Sequence, residues 1–439
     1  MIKIETVKKL FGRTSVFIII FLIISTTANL IYLSRNTGKA KGDDGWTGQP
    51  DFKVFWIAAR NLTQRVSQLR ETQSDKRKDE IRNLYPVYDK KEAFYHFRYS
   101  PTVAFLMIPF SKLYYPRSAL FWWSIFLTLV FLAALFFLKK QISRDFALTK
   151  FQEALILWGA FLATLRYYLM ILGQGQTDVF TALFLVLFLM AYLRKKDVLS
   201  GVLLALIFQI KPFFLPILLY FLIKGKMKII LSCVAAFAAF LFLPCFIVGS
   251  SETMLLLKEW KGILDMSIPS QLFNVKNQSV SSLVSGFLLK GNFINRPLSV
   301  ETLTYSIAAI LTFSFYLPFA WYGKVTHAAN EIKHKYLEIS LLIVTAVLFS
   351  PIAWQAYFVN LIIPFAFMLC LFMASDKKGL PFAAMAIYFI LSCMVRTDIT
   401  KFIPGVNSLR FINITLGTVF LVFALLYSYR RSQVKYKRI

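Results

Sequence analysis

Long runs of apolar residues alternate with short clusters of lysine and arginine along most of the chain. The first run extends from about Thr14 to Leu33, and the next two occupy about 117–138 and 151–172. Each run is close to the roughly 20 residues that a helix needs to cross a bilayer. A fourth run ends at Arg194, and later runs lie at about 229–248, 302–322, 336–350, 357–374, 380–396 and 411–428. This pattern predicts an all-α polytopic membrane protein.

One apolar stretch, 198–223, is interrupted by Lys211-Pro212 and carries clustered lysines at both ends. Proline ends or kinks a helix, and an ionisable residue inside a membrane segment indicates a function by default. The stretch therefore predicts a hairpin of two short helices whose tip carries Lys211 into the membrane. Lys211 is then either a functional cation or a lysine that reaches water. Counting the hairpin as two, we expect about twelve membrane segments in a single integral membrane domain, 1–439.

The basic clusters predict the orientation of the chain, because short cytoplasmic loops are enriched in lysine and arginine. Clusters before Thr14, at 139–144 and at 194–196 place the N-terminus in the cytoplasm, with no cleavage pattern after the first run. The basic tail, 429–439, is also expected to be cytoplasmic. Two long loops, 35–100 and 249–300, are then extracytoplasmic. Loop 35–100 has an excess of basic residues, but loops of this length follow the charge rule poorly.

The first of these loops contains Gln49-Pro50-Asp51-Phe52 followed by an apolar face with helical spacing. Phe52, Phe55, Trp56 and Ala59 fall at i, i+3, i+4 and i+7, which predicts an amphipathic helix. We expect this helix to lie flat on the membrane surface with its apolar face against the bilayer. Asp51 stands where a helix begins, which suits an N-cap, and it can serve as a catalytic base as well, since the two roles do not exclude each other.

Composition narrows the class of protein. Of 439 residues, 57% are hydrophobic and 16% are charged, and the formal net charge is +28. With a mean hydropathy of +0.60, the positive charge is explained by the clusters between spans rather than by nucleic-acid binding. The four cysteines lie in apolar spans without metal-ligand spacing, so neither a disulfide framework nor a metal site is expected. No convincing internal repeat is visible, which argues against a transporter.

The unusual polar residues collect at the outer ends of the predicted spans. They comprise Asp51, Arg98, Tyr99, Gln174, Gln176, Asp178, Asn277, Gln278, Trp354, Gln355 and Tyr357, with Lys211 directed to the same side. A carboxylate that deprotonates an acceptor hydroxyl and a cation that stabilises a departing phosphate suit transfer from a lipid-linked sugar phosphate. Asp178 equally suits a simple acid at a helix N-terminus. No zinc pattern, P-loop, nucleophile elbow or segment long enough for a soluble nucleotide-sugar domain is present.

Six short motifs occur in an order that resembles glycosyltransferase family 87, a family of polyprenol-phosphate-mannose-dependent mannosyltransferases with the GT-C fold. They are Gln49-Pro50-Asp51-Phe52, Tyr99-Ser100-Pro101, Gly175-Gln176-Thr177-Asp178, Lys211-Pro212, Asn277-Gln278-Ser279 and Ser350-Pro351-Ile352-Ala353-Trp354. The resemblance extends over roughly 14–374. Family members often carry a histidine shortly after the tryptophan of the last motif, whereas this chain has Gln355, Ala356 and Tyr357.

The resemblance implies an inverting, metal-independent transfer of a sugar, mannose first, from a polyprenyl-phosphate donor to a lipid or glycan acceptor. The enzyme would need no cofactor and would act at the outer face of a bacterial plasma membrane. Asp51 matches the expected general base, and Lys211 with Arg98 are the expected ligands of the donor phosphate. Substrate contacts are expected from Tyr99, Gln176, Asp178, Asn277, Gln278, Trp354, Gln355 and Tyr357.

Two other functions stay open from the sequence. A lipid-linked glycan flippase or exporter would need no catalytic carboxylate and would have a polar cavity between repeated bundles. A ligase or polymerase that moves whole glycans from a diphosphate carrier would need more than one basic residue near the diphosphate, which Arg98 and Lys211 would supply.

Overall fold

The computed structural model describes thirteen stretches of the chain, and all structural statements below concern these stretches. They are residues 14–37, 50–72, 74–84, 86–88, 97–115, 117–272, 277–280, 306, 309–310, 312–319, 332–374, 379–394 and 413–436. The described regular structure is helical, with no strand among these residues. The expectation of an all-α chain is confirmed for this part of the molecule.

In the N-terminal part of the chain, the stretches that the structure describes form seven helices before the turn that leads into the candidate site. They are α1 (Thr14–Thr37), α2 (Pro50–Arg70), α3 (Asp75–Leu84), α4 (Pro101–Leu106), α5 (Ile108–Ser111), α6 (Arg117–Asp145) and α7 (Lys150–Gln174). Helix α7 begins with a capping box between Thr149 and Gln152 and ends at Gly175, whose φ of +70° is the left-handed conformation that glycine adopts without strain. These start and stop signals fix the position of the chain directly before the site.

The described residues of the second half form ten α-helices. They are α8 (Asp178–Leu193), α9 (Asp197–Ile210), α10 (Pro216–Ile223), α11 (Met227–Leu241), α12 (Cys245–Val248), α13 (Ser250–Leu272), α14 (Ile332–Phe349), α15 (Ile362–Ala374), α16 (Gly379–Phe389) and α17 (Asn413–Tyr436). Short 3₁₀ helices occupy Pro212–Phe214 and Gln355–Leu361, and a π-helical turn occupies Ile390–Met394. The predicted break at Lys211-Pro212 is present as the 3₁₀ turn between α9 and α10, and the insertion of its tip into the membrane stays a prediction.

Helices α8, α14 and α15 form the interior, and α1 and α11 lie at the periphery. Residues 334–348 of α14 are all buried, whereas Ile19, Ile23 and Leu30 of α1 are more than half exposed. A helix that is buried on every side needs neighbours all round, and one with exposed apolar residues suits contact with lipid. Helix α9 packs closely on α11 at Gly201, where an added Cβ would collide with the Ile229 carbonyl oxygen.

Among the described residues, five helices are long and apolar enough to cross a membrane, and four shorter apolar helices accompany them. The five are Thr14–Ser34, Ser118–Asp145, Lys150–Gln174, Met227–Val248 and Gln355–Met373. The expectation of a membrane protein agrees with this finding, but a count of twelve membrane segments is not confirmed. The predicted span 302–322 is described only in part, and residues 281–305 and the tail residues 437–439 lie outside the described residues.

The expectation that the apolar face of α2 lies against the bilayer is wrong, because protein side chains cover that face. Phe52 is fully buried and stacks on Trp123, with 5.2 Å between ring centroids. Phe55 is also buried and contacts Tyr99, and the Trp56 indole donates a hydrogen bond to the Leu113 carbonyl. The helical period was predicted correctly, but the period alone does not say what covers the face.

The predicted loop 249–300 begins with a 23-residue helix, α13, that is tied to the first loop by charged side chains. Arg65 of α2 is fully buried and lies 2.5 Å from Glu252 and 3.2 Å from Glu259. Arg82 of α3 pairs with the same Glu252 at 3.0 Å. The highly charged helix α3 is therefore packed onto α13 through Glu252.

Candidate active site

Asp51 lies in the first turn of α2, one residue after Pro50, which begins the helix. The Asp51 side chain is half-buried, and its Oδ2 accepts a hydrogen bond from Nε2 of Gln176. A carboxylate at a helix N-terminus is stabilised in its ionised form by the helix dipole. The carboxylate thus combines a fixed position with partial access to solvent, which a general base needs.

Gln176 belongs to a turn, Gly175 to Asp178, that joins the end of α7 to the start of α8. Ile171 accepts hydrogen bonds from the backbone N–H groups of Gly175 and Gln176, and the Trp123 indole donates one to the Gly175 carbonyl at 2.9 Å. All four residues of the turn are buried. The backbone of this turn is therefore held from both sides.

Lys211 lies at the tip of the hairpin and is buried, with its ammonium group 3.3 Å from Oδ2 of Asp178. It donates to the Tyr99 hydroxyl at 3.4 Å and lies over the Tyr357 ring, 4.0 Å from the centroid. Burial excludes the interpretation that this lysine reaches water. Asp178 is in the first turn of α8, as a simple helix acid would be, and it is also the partner of Lys211.

One turn therefore brings the two charged groups of the predicted chemistry together. Gln176 holds the Asp51 carboxylate, and Asp178, two residues later, holds the Lys211 ammonium. Both carboxylate oxygens of Asp178 are buried, and neither accepts a hydrogen bond of normal geometry from the described residues. The Lys211 ammonium is thus held by a loose ion pair, and the turn that supplies its partner also contacts the half-buried carboxylate of Asp51.

Arg98 is half-buried beside the same tyrosines, and its carbonyl accepts a hydrogen bond from the Trp260 indole at 2.9 Å. Burial lowers the pKa of the Arg98 guanidinium, while Tyr357, Tyr99 and the Asp51 carboxylate act in the opposite direction. Its Nε is buried and has no hydrogen-bond partner among the described residues. The structure thus brings Arg98 within electrostatic reach of both Asp51 and the Lys211 cluster.

The motif that follows Arg98 is fixed to the hairpin that carries Lys211. Ser100 donates a hydrogen bond of 2.5 Å to Gln209, which lies two residues before Lys211. Thr102 donates to the Phe240 carbonyl at 2.6 Å. These contacts hold Tyr99 next to Lys211, so the Tyr99-Ser100-Pro101 motif positions the tyrosine.

Asn277 and Gln278 are buried, and the observed contacts of Asn277 are with backbone groups. The Asn277 amide donates to the Pro351 carbonyl, and its oxygen accepts from the Ala353 N–H, both at 2.8 Å. The Gln278 N–H donates to the Ala353 carbonyl at 2.8 Å. Asn277 therefore fixes the turn that ends at Trp354; a contact between either residue and a sugar stays a prediction.

The turn that Asn277 fixes leads directly to two aromatic residues of the site, Trp354 and Tyr357. Trp354 precedes the 3₁₀ helix Gln355–Leu361, and its carbonyl accepts a hydrogen bond from the Tyr357 N–H at 2.9 Å. Gln355 accepts a hydrogen bond from Arg166 of α7 at 3.4 Å. Tyr357 joins the Lys211 cluster directly, whereas Gln355 is engaged by Arg166 and Trp354 is half-buried at the start of the helix.

Sequence reasoning missed two residues that position the site. Arg166 lies in the middle of an apolar helix and contacts Gln355 and the Ser392 carbonyl. An arginine within a span is an unusual signal that would have found it. Trp260 supports the Arg98 backbone, but it lies 162 residues later in the chain, and nothing in the local sequence indicates that contact.

In the described part of the chain, no cluster of three or more His, Cys, Asp and Glu residues is arranged to hold a metal ion. The charged groups that converge here are Asp51, Asp178, Lys211 and Arg98. They provide one half-buried carboxylate, one buried carboxylate and two cations, a set suited to proton transfer and to binding an anionic leaving group.

The sequence model of glycosyltransferase family 87 matches residues 97–351. This range includes four of the six motifs in whole and the first two residues, Ser350 and Pro351, of the last one. Asp51 lies outside the matched range, so its connection to the family motifs rests on its hydrogen bond with Gln176. No curated protein matches the chain.

Proposed function

The chain belongs to glycosyltransferase family 87, and from this premise we propose that it transfers a sugar from a polyprenyl phosphate to a lipid or glycan acceptor. Mannose is the leading candidate for that sugar. The transfer inverts the anomeric centre and needs neither a metal ion nor a cofactor. The proposed site is at the outer face of a bacterial plasma membrane. The observation that carries the proposal is the Gly175–Asp178 turn, which contacts Asp51 through Gln176 and Lys211 through Asp178.

In the proposed reaction, Asp51 takes the proton of the acceptor hydroxyl. The hydroxyl oxygen attacks the anomeric carbon from the side opposite the phosphate. The bond between the anomeric carbon and the phosphate oxygen breaks, and its electron pair leaves with the polyprenyl phosphate. One substitution with attack from the opposite side inverts the anomeric configuration. The proton remains on Asp51 until solvent removes it.

Lys211 and Arg98 are the proposed ligands of the departing phosphate. A cation fixed in a buried site stabilises negative charge more strongly than a cation in water does, because its surroundings are already oriented. Lys211 is held by Asp178 and lies against Tyr357, and Arg98 is close to the same tyrosine. This pair of cations supports a phosphate leaving group without a metal ion.

Membership of a glycosyltransferase family argues against a flippase or exporter without chemistry. The presence of two cations near Tyr357 favours one further possibility, a carrier with a diphosphate. Polyprenyl-phosphate mannose, polyprenyl-phosphate glucose and a polyprenyl-diphosphate glycan should therefore be compared as donors. Faster transfer from the diphosphate carrier would replace the proposed donor class with the ligase or polymerase function.

The central experiment replaces Asp51 by asparagine in the purified full-length protein and measures transfer from polyprenyl-phosphate mannose. Removal of the general base should lower the turnover number by about 10²–10⁴-fold, with unchanged expression. Asp265→Asn is the matched control, because Asp265 is an exposed carboxylate on α13. Full activity of Asp51→Asn would remove Asp51 as the base.

Metal independence has a separate test. Transfer by the unmodified protein should be unchanged after treatment with a chelator such as EDTA. Loss of activity that a divalent cation restores would contradict the proposed role of Lys211 and Arg98 as sufficient ligands for the phosphate.

A further inference from the structure

A second concentration of positive charge lies at the opposite end of the bundle from Asp51. Helix α8 begins at Asp178 in the candidate site and has 16 residues, which gives a length of about 24 Å at the usual helical rise. Lys195 and Lys196 follow it and lead into α9. We name this region, with the N-terminal residues of α9 and α11, the basic end.

An open cavity of about 580 Å³ lies at the basic end. Three lysines and one carboxylate contribute to its wall, namely Lys195, Lys196, Lys228 and Asp197. The rest of the wall is apolar and consists of Val198, Leu199 and Val202. With three positive charges against one negative charge, the cavity suits an anionic group.

A smaller cavity of about 180 Å³ adjoins the first and shares Lys196 and Leu199 with it. Its other lining residues are mostly apolar and comprise Leu187, Met190, Ala191, Arg194 and Leu203. The two cavities together therefore offer a cationic compartment beside an apolar one. This arrangement fits a molecule that has an anionic head and a hydrocarbon chain.

Further lysines around the cavities raise the local positive charge. Lys195, Lys224 and Lys226 all interact electrostatically with Lys335. The nearby carboxylate of Glu338 is engaged by Lys224 at 2.6 Å. Lys195 also has a φ of +56°, which is uncommon for a residue with a Cβ and indicates that the surrounding structure fixes the chain here.

We propose that the two cavities bind one anionic phospholipid of the bilayer. Its phosphate lies among Lys195, Lys196 and Lys228, and an acyl chain lies over Leu199 and Leu203. Val198 and Leu199 are 61% and 46% exposed, as suits residues that face lipid. Lysines that only determine the orientation of the chain across the membrane do not need a cavity beside them. A lipid site needs both the cationic cavity for the headgroup and the apolar cavity for the acyl chain. This proposal does not depend on the sugar donor.

The test counts the lipids retained by the detergent-purified full-length protein in native mass spectrometry. Phosphatidylglycerol is compared with phosphatidylcholine of the same acyl chains and with inorganic phosphate. We expect one retained phosphatidylglycerol. The triple variant Lys195→Gln/Lys196→Gln/Lys228→Gln should weaken its binding at least about tenfold, since each basic residue near an anionic lipid contributes roughly fivefold.

The control variant Lys140→Gln/Arg144→Gln/Lys150→Gln removes the same charge from exposed residues at helix ends that do not line either cavity. It should retain the lipid. Leu199→Trp narrows both cavities without changing the charge and should also weaken retention of phosphatidylglycerol. This variant tests the proposal if the triple variant fails to fold. Equal losses in the control, equal retention of phosphatidylcholine, binding of inorganic phosphate alone, or no retained lipid would each overturn the proposal.

Discussion

Two buried lysine–carboxylate pairs occupy opposite ends of the same helix bundle. The Lys211 and Asp178 side chains are 5% and 0% exposed, and those of Lys224 and Glu338 are 6% and 2% exposed. Although the two pairs are buried to a similar extent, the first is separated by 3.3 Å and the second by 2.6 Å. The second has the geometry of a short, charge-assisted hydrogen bond, whereas the first is a loose ion pair.

The surroundings of the two lysines explain what this difference means. Lys211 lies 4.0 Å from the centroid of the Tyr357 ring and also contacts the Tyr99 hydroxyl. Lys224 lies 5.2 Å from the centroid of the Tyr220 ring and donates its short hydrogen bond to Glu338. A tightly paired lysine has its charge already satisfied and stabilises the fold. A loosely paired lysine in an aromatic pocket keeps capacity for a ligand.

The strongest test of this contrast removes Lys211. In Lys211→Gln, sugar transfer should fall by about 10³-fold, because the leaving phosphate loses a buried cation and faces an unpaired Asp178. Turnover with polyprenyl-phosphate mannose is the measurement. The double variant Lys211→Gln/Asp178→Asn, which leaves no unpaired charge, should stay folded and remain inactive. An active double variant would contradict the role of Lys211.

The opposite pair should respond in the opposite way. Lys224→Gln should lower the free energy of unfolding by about 3 kcal/mol, because Glu338 is left buried without its partner, while turnover per folded molecule stays unchanged. Thermal or denaturant unfolding in detergent measures the stability. Glu338→Gln in the same background should restore part of it. A loss of turnover without a loss of stability would show that the two pairs are not functionally distinct.

Gln176 contacts Asp51 and lies two residues before Asp178, the carboxylate of the first pair. In Gln176→Ala the hydrogen bond to the Asp51 carboxylate is lost, so turnover should fall about tenfold, with little change in stability. Because the amide donor favours the ionised carboxylate, its loss should raise the pKa of Asp51 and shift the acidic limb of the pH–rate profile upward. An unshifted profile with reduced turnover would assign Gln176 to substrate binding instead.

A partly exposed pair should give the smallest effect. Arg82 is 28% exposed on its side chain and lies 3.0 Å from Glu252. Arg82→Gln should destabilise the protein by about 0.5–1 kcal/mol, as expected for pairs near solvent, because Arg65 still neutralises Glu252. Urea unfolding measures this change. A loss of stability as large as that caused by Lys224→Gln would show that burial does not determine how much each ion pair stabilises the protein.

Local sequence signals were sufficient for the elements that carry the site. Lys211-Pro212 inside an apolar stretch predicts the broken hairpin, because proline removes a backbone donor and lysine is costly in lipid. The Gly175 motif likewise marks the end of α7, where left-handed backbone favours glycine.

Contacts between distant segments could not be predicted in the same way. Gln176 and Asp51 are 125 residues apart, and helical periodicity does not specify which surface covers a face. Phe52 was therefore expected at the bilayer, although it stacks on Trp123. The role of Asn277 could not be predicted from its residue type either, because an asparagine amide can form hydrogen bonds with a sugar or with the backbone of a turn.

The Gly175–Asp178 turn has a consequence for how substrate specificity can change. Its backbone sets the spacing between the residue that holds Asp51 and the residue that holds Lys211. Side chains elsewhere can be exchanged to suit a different sugar or acceptor while this spacing stays constant. Under the proposed mechanism, main-chain geometry thus fixes the distance from the attacking oxygen to the departing phosphate. The side chains around the turn determine which sugar and which acceptor are bound.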